Sequence, residues 1–280
     1  MGTTTDTLER IRSVEGHINY AVDSGAVNRF HARDSSLDTF RYDPRSVAML
    51  DGRTLAEQPS LDREGFALMQ MPSAVDDFRA LDHVMAVHPQ EITSFIARIT
   101  GADEVVVAGP PALRFGERAD AHDRAAHSKT ARLIHSDTYE TTSEEFTAQY
   151  NPRPNGKIVR CEHHNIWRTF SRPPQDLPLA LCDFRSVLPS DIIRAEAAFD
   201  DEQGNVGWTF EAMIFRYNPA HRWVFFSDMT QDEVLVFKRY DTNRSRPWFV
   251  PHTAFEDPSA PADAEPRASI EMRTISYWYE

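Results

Sequence analysis

From Glu104 onward the chain is a succession of short stretches rich in β-branched and aromatic residues: EVVVAG, ALRF, RLIHSDT, KIVRCEHHNIWRTF, LALCDFRSV, WTFEAMIFRYN, RWVFFSD, EVLVFKRYD, FVPHTAFE and SIEMRTISYWY. Turn material such as NPRPNG, DDEQGN and YNPAH separates them. So many strands with so few helical segments between them do not suit a parallel α/β sheet. They predict a mainly β fold with flanking helices, two facing antiparallel sheets forming a double-stranded β-helix (jelly-roll) core over about residues 104–280. Residues 1–70 have no sustained period and read as loops with short strands and a helical turn or two, an elaboration on that core. HPQEITSFIARITGA predicts a helix, with Pro89 near its start, Ile92, Phe95, Ile96 and Ile99 on one face and Gly101 as the stop. PSDIIRAEAAF suggests a second, shorter helix capped by Ser190. The Pro/Ala-rich DPSAPADAEPRAS is closely flanked by strands, so it reads as a loop within one domain of residues 1–280.

The formal net charge of −13 disfavours nucleic acid and anionic membrane as partners, since both require a basic face. No apolar run reaches membrane-spanning length, and MGTTTDTLERIRSVEG has neither a signal-peptide core nor a basic start, so a cytoplasmic protein is expected. The Met-Gly start does not continue as a myristoylation signal, because Asp6 stands where Ser or Thr is needed. Cys161 and Cys182 are far apart and predict buried free thiols. An acidic protein that binds a small anion must do so through particular arginines in a pocket.

Two apolar residues lead into His135-x-Asp137 in LIHSDTYE, and on a strand these two side chains share a face. A second histidine on a distant strand would complete a two-His-one-carboxylate set, the iron(II)-type arrangement with open positions. His252, in VPHTAFEDP, is the best placed. Its rival is His221 in NPAHRW; of the doublet His163-His164, at most one can face a pocket. Beyond His252 come Arg267 and Ser269, alternating onto one face, where a guanidinium fork and a hydroxyl could grip one carboxylate. Each has an ordinary alternative: a surface turn for His135 and Asp137, a core histidine for His252, a solvated ion pair for Arg267. Asn165 and Trp167 share one strand face and Arg168 takes the other; core packing is the alternative for Trp167, and Asp183 and Arg185 can pair with each other.

The combination of H-x-D, a distant His and R-x-S resembles the iron(II)/2-oxoglutarate-dependent dioxygenase superfamily. More narrowly, the chain resembles the hydroxylase/desaturase family of fungal and bacterial secondary metabolism, with its gibberellin desaturase-like, aspergillic-acid-pathway-like and cephamycin methoxylation protein-like members. The matching phrases are ITGADEVVV, HNIWRTF, PLALCDFRSV, YNPAHRWVFFSDMTQDEVLVFKRYD and PHTAFEDPSAPADAEPRASIEMR, spread over about residues 60–280. The resemblance implies iron(II) held by His135, Asp137 and His252, 2-oxoglutarate chelating through its keto-acid end with its far carboxylate on Arg267 and Ser269, and dioxygen as co-substrate. It also implies that the strand bearing Asn165, Trp167 and Arg168 lines a pocket for a small secondary-metabolite intermediate, to be hydroxylated, desaturated or oxidatively cyclised. The polar stretch TTSEEFTAQYNPRPNG is then expected to be a lid. Two other classes stay open: a non-oxidative cupin-type metal enzyme, and a metal-binding partner protein in a biosynthetic complex.

Overall fold

A computed structural model describes residues 11–31, 34–126, 128–200 and 206–280. The start of the chain, with its Met-Gly and Asp6, and the DDEQGN turn from residue 201 onward lie outside the described residues. The first part of the chain forms β1 (Ser13–Val22), β2 (Asn28–His31), β3 (Arg41–Asp51), β4 (Phe66–Gln70), α1 (Leu81–Thr100), β5 (Glu104–Val107), β6 (Ala112–Phe115), α2 (Ala121–Ala126), β7 (Ser128–Lys129), β8 (His135–Ser136) and α3 (Glu140–Gln149). Then come β9 (Ile158–Thr169), β10 (Leu179–Cys182), β11 (Ile192–Asp200), β12 (Val206–Phe215), β13 (Trp223–Phe225), β14 (Glu233–Asp241), β15 (His252–Ala254) and β16 (Ala268–Tyr279).

The strands assemble into two sheets that curl over each other as a jelly roll. One runs β1-β3-β13-β10-β15-β8-β12-β11-β2, and the other runs β4-β14-β9-β16-β6-β7 with β5 also on β16. Leu179, Leu181 and Val224 from the first sheet meet Trp167, Leu235, Phe237 and Phe66 from the second, which places an apolar layer inside the barrel. Outside the second sheet, Ile92, Phe95 and Ile96 of α1 cover Ile166, Val234, Val236 and Met272. Strand β14 is therefore buried on both faces, and for that reason EVLVFKRYD reads as nearly continuous apolar sequence at its start. The cysteines are free and buried, as expected.

Four local expectations fail, each for an identifiable reason. Helix α1 begins at Leu81, eight residues before Pro89, because Val84 and His88 continue its buried stripe upstream, and that packing carries the helix through the proline. PSDIIRAEAAF is strand β11: Ile193, Ala195 and Ala197 point inward while Arg194 is exposed, a period of two that pairing with β12 enforces over the helical bias of Ala and Glu. Ser190 caps no helix; the Asp191 carboxylate instead accepts from Leu188 N–H at 2.8 Å. The polar stretch after the H-x-D is largely helix α3 rather than an irregular lid. Finally, β1 and β3 form a ten-residue antiparallel pair, from Ser13↔Leu50 to Val22↔Arg41. Pro44 hides the strand in the sequence, yet it is tolerated because β13 pairs only with Met49 to Asp51 of β3, leaving the Pro44 edge open.

The second sheet also buries a cost. His164 is fully enclosed, and among the described residues neither ring nitrogen has a hydrogen-bond partner. Glu162, 3.6 Å away, is already shared between Lys238 and Arg160. Burial, then the Lys238 ammonium, push the imidazole down to about 3 from 6.5. Below about pH 6.5 the unfolded chain takes up a proton here that the folded chain refuses, so stability falls with pH down to the folded value near 3. His164→Leu should therefore lose less melting temperature than the parent on going from about pH 7 to pH 5. Equal or greater acid sensitivity in that variant contradicts the assignment.

Candidate metal centre

Strands β8 and β15 are neighbours in the first sheet, and their single paired position is His135 opposite His252. Directly opposed residues of an antiparallel pair share a face, so both imidazoles enter the barrel together. Their ring centroids are 4.4 Å apart. Asp137, two residues past His135, follows onto the same side: its Oδ1 lies 3.7 Å from His135 Nε2 and 3.8 Å from His252 Nε2. One ligand atom from each residue falls within 4.8 Å of the others.

The backbone fixes which ring nitrogen is available. His135 Nδ1 donates to Leu133 C=O at 2.8 Å, and His252 Nδ1 donates to Val250 C=O at 3.0 Å. Each ring is thereby held as the tautomer whose bare Nε2 faces the cluster. Burial pushes the His135 imidazole down to about 4, with the neighbouring His252 adding to the shift. Burial also lowers His252. Burial alone would raise Asp137, but the fields of His252, Arg273, His135 and Arg239 outweigh it and hold the carboxyl well below its usual range. Two neutral imidazoles and one carboxylate, converging with lone pairs inward, are the donor set a divalent first-row metal requires.

The second sheet supplies the opposite wall. Asn165 Nδ2 donates to Asp137 Oδ2 at 2.5 Å, leaving Oδ1 for the cluster. Trp167 is buried beside it in the small cavity that also contains His135, Asp137 and His252. Arg267 stands over the Trp167 ring at 4.9 Å, donates from Nε to Ser269 Oγ at 3.2 Å and from Nη1 to Leu177 C=O at 2.9 Å. Its Nη2 has no partner among the described residues and the guanidinium lines the same cavity. Burial pushes Arg267 down to about 9, which leaves it a cation at neutral pH. Ser269 Oγ is held between Arg267 Nε and Arg114 C=O, 3.3 Å away, so it orients the guanidinium.

Arg168 does not join this group. It lies on the outer face of β9, where it donates to Met71 C=O at 2.8 Å and Gln231 C=O at 2.6 Å and covers Phe78. The alternation that turns Asn165 and Trp167 inward turns Arg168 out. His221 is engaged elsewhere, by Asp191 at 3.1 Å and Tyr20 at 3.0 Å, and Asp183 pairs with Arg185. Glu271, Arg273, Arg114 and Arg239 were not singled out by the sequence reading. Glu271 and Arg114 line the cavity, and Arg273 and Arg239 act on Asp137. A signal existed: in R-A-S-I-E-M-R a polar residue stands at every second position from Arg267 to Arg273, so one face of a buried strand is polar throughout. A larger cavity of about 250 Å³, lined by Pro174, Gln175, Phe226 and Asp257 among others, shares no residue with this cluster.

If the Asn165 bond orients Asp137, Asn165→Ala should weaken divalent-metal affinity roughly 10–100-fold, as for other carboxylate-orienting groups. Competition against a chelating dye measures this; an unchanged affinity means the bond does not orient the ligand.

Comparison with known proteins agrees with this geometry. Residues 18–277 match the family described as "Oxidoreductase/YMDC permease-like domain". The chain is 25% identical over 246 residues to the Fe(II)/2-oxoglutarate-dependent dioxygenase nvfI of Aspergillus novofumigatus, covering 85% of each chain. It is 29% identical over 260 residues to the hydroxylase/desaturase efuI of Hormonema carpetanum, again covering 85% of each. Among solved structures, the iron and alpha-ketoglutarate-dependent endoperoxidase NvfI superposes with a TM-score of 0.79 at 22% identity, over 97% of this chain and 100% of that one. The chain belongs to that oxidoreductase family, among the iron(II)/2-oxoglutarate-dependent dioxygenases for which its relatives are named.

Proposed function

We propose that His135, Asp137 and His252 hold iron(II) through the two Nε2 atoms and Oδ1, that Arg267 receives the distal carboxylate of 2-oxoglutarate, and that the substrate is a free small molecule of secondary metabolism. The observation that carries this reading is the single opposed pair His135↔His252 with Asp137 on the same face. Iron(II) with 2-oxoglutarate supplies oxidative decarboxylation to succinate and, from dioxygen, an oxidant for unactivated C–H bonds.

The chain's own residues do the positioning. The carbonyls of Leu133 and Val250 keep both imidazoles neutral and aimed. Asn165 holds Asp137, and Ser269 with Leu177 C=O holds the Arg267 fork over Trp167. A buried guanidinium beside the cluster favours the oxygenase over a non-oxidative metal enzyme, which would have no carboxylate to receive there. Helix α3 takes the part of the expected lid: Thr138 and Ser143 share a hydrogen bond of 2.8 Å, tying its first turn to the strand end that carries Asp137. From there it can exclude water during turnover.

Hydroxylation, desaturation and oxidative ring closure at an aliphatic carbon are the reactions this site would serve, acting in the cytoplasm without nucleic acid or membrane. The acidic balance supports this, as does the lack, among the described residues, of a helix long and apolar enough to cross a membrane. Incubation with iron(II), 2-oxoglutarate and pooled small-molecule candidates should give succinate together with a product that has gained one oxygen or lost two hydrogens. Substrate-independent absence of succinate formation would refute the reading.

A further inference from the structure

Among the described residues, Arg239 has no hydrogen-bond or ion-pair partner, although its charge acts on Asp137 of the metal cluster. It is 3% exposed, its Nε and Nη2 are wholly enclosed, and it makes no hydrogen bond or ion pair with any described residue. Its direction follows from the strand. Phe237, whose ring centroid is 4.8 Å from that of His252, marks the inner face of β14, and Arg239 lies two residues on, where the register with β9 shifts. Its charge is felt at Asp137 and at His163, and it in turn feels Asp137, Arg273, Glu271 and Tyr150. Neither nearby carboxylate satisfies it. Glu271 Oε1 accepts from Arg273 Nη2 at 2.7 Å, while Asp137 faces Asn165 with one oxygen and the imidazoles with the other.

Other polar atoms on the same inner face are unmatched among the described residues: His163 Nδ1 and the acceptor Asn165 Oδ1 are buried without partners. Asn165 pairs with Phe237 on one side and Arg273 on the other, so these side chains stand in one row across the sheet. Helix α3 closes this end, with Thr147 Oγ1 at 2.9 Å from His163 Nε2 and Thr147 C=O accepting from Tyr277 Oη at 2.9 Å. A buried guanidinium with unmade hydrogen bonds is costly, and folding gains nothing from it. Arg267 and Arg273 are six residues apart along β16 and the residue leading into it, roughly 20 Å in extended chain. One small dicarboxylate on Arg267 therefore does not also serve the Arg239 end.

We propose that Arg239, with the Arg273 cation in the same row of the sheet, is an anion-reading subsite beside the metal ligands, and that the molecule oxidised carries a carboxylate seated there. This rests on the function proposed above and adds the substrate's chemical class. The carboxylate would take the unmade bonds of the guanidinium, leaving the aliphatic part of the molecule toward the metal side of the barrel.

The test uses protein loaded with manganese(II) and 2-oxoglutarate under argon, so that the Arg267 side is filled and no turnover occurs. Calorimetric titration with acetate and benzoate, each against its neutral amide, should show the acid binding at least ~10-fold tighter, with the preference gone in Arg239→Gln and 2-oxoglutarate affinity unchanged. An acid preference absent from the parent protein, or persisting in Arg239→Gln, overturns the subsite. A collapse of 2-oxoglutarate binding in Arg239→Gln overturns it too, by assigning this arginine to the co-substrate. Failure of the parent to bind 2-oxoglutarate at all would instead count against the function proposed above, and the panel can still be titrated on the manganese(II) protein. As a second readout, Arg239→Met should melt higher than the parent without ligand, because a buried unpaired charge is removed. A lower melting temperature identifies Arg239 as a structural residue and contradicts the proposal.

Discussion

Replacing Asp137 with alanine should reduce iron(II) affinity beyond the roughly 10–100-fold typical of losing a group that merely orients a ligand. The carboxylate is the only anionic member of the cluster, and both imidazole Nε2 atoms are within 4 Å of its Oδ1. Without it, two neutral rings face a divalent cation alone, and Asn165 Nδ2 loses its acceptor. Asp137→Asn keeps the shape while removing the charge, so it separates ligand loss from local collapse. Competition with a chelating dye reads the affinity; a value within a few-fold of the parent would mean that the metal, if any, is held elsewhere.

Arg267→Ala is expected to weaken 2-oxoglutarate much more than iron(II). A carboxylate deprived of a charge-assisted fork in a buried site loses on the order of 2–4 kcal/mol, a factor of tens to several hundred in affinity. Arg267→Lys should recover only part of this, since an ammonium cannot reproduce the planar fork over the Trp167 ring. The alanine variant also strands Leu177 C=O and Ser269 Oγ, so some loss of stability accompanies it. Anaerobic calorimetry with manganese(II) in place of iron separates the two effects. Equal 2-oxoglutarate affinity in parent and alanine variant would remove Arg267 from the site.

The pairing of His135 with Asp137 in the candidate cluster was legible because strand geometry is local: H-x-D announces a shared face by its spacing alone. That His252 is the distant partner depends on β15 lying beside β8, a long-range pairing that no local pattern encodes. Arg267 and Ser269 stood out by the same period of two, and Glu271 and Arg273 continue it unremarked because apolar Ile270 and Met272 make the run look like ordinary core strand. Arg239 shares the inner face of Phe237 by the same alternation, but that it is left buried without a partner among the described residues depends on long-range packing that no local pattern encodes. Arg168 became a candidate only through the resemblance; the alternation already set it opposite Asn165 and Trp167, and there it donates to Met71 and Gln231 carbonyls.

Fold class followed from the repeated β-rich stretches, whereas individual elements failed wherever tertiary packing opposes local preference. Strand β11 is built from good helix formers, and α1 accepts an internal proline because its buried stripe continues upstream of it. Short strands were expected in this region, but the length of β3 was missed because Pro44 breaks the pattern at a position where the sheet needs no donor.

The most direct test of the central claim is an anaerobic titration of the iron(II)-loaded protein with 2-oxoglutarate, followed in the visible. Iron(II) on His135, Asp137 and His252 with 2-oxoglutarate chelated to it predicts a weak charge-transfer band in the parent protein, no band in Asp137→Ala, and a band needing much more 2-oxoglutarate in Arg267→Ala. No band in the parent, or a band of equal strength in Asp137→Ala, would contradict it.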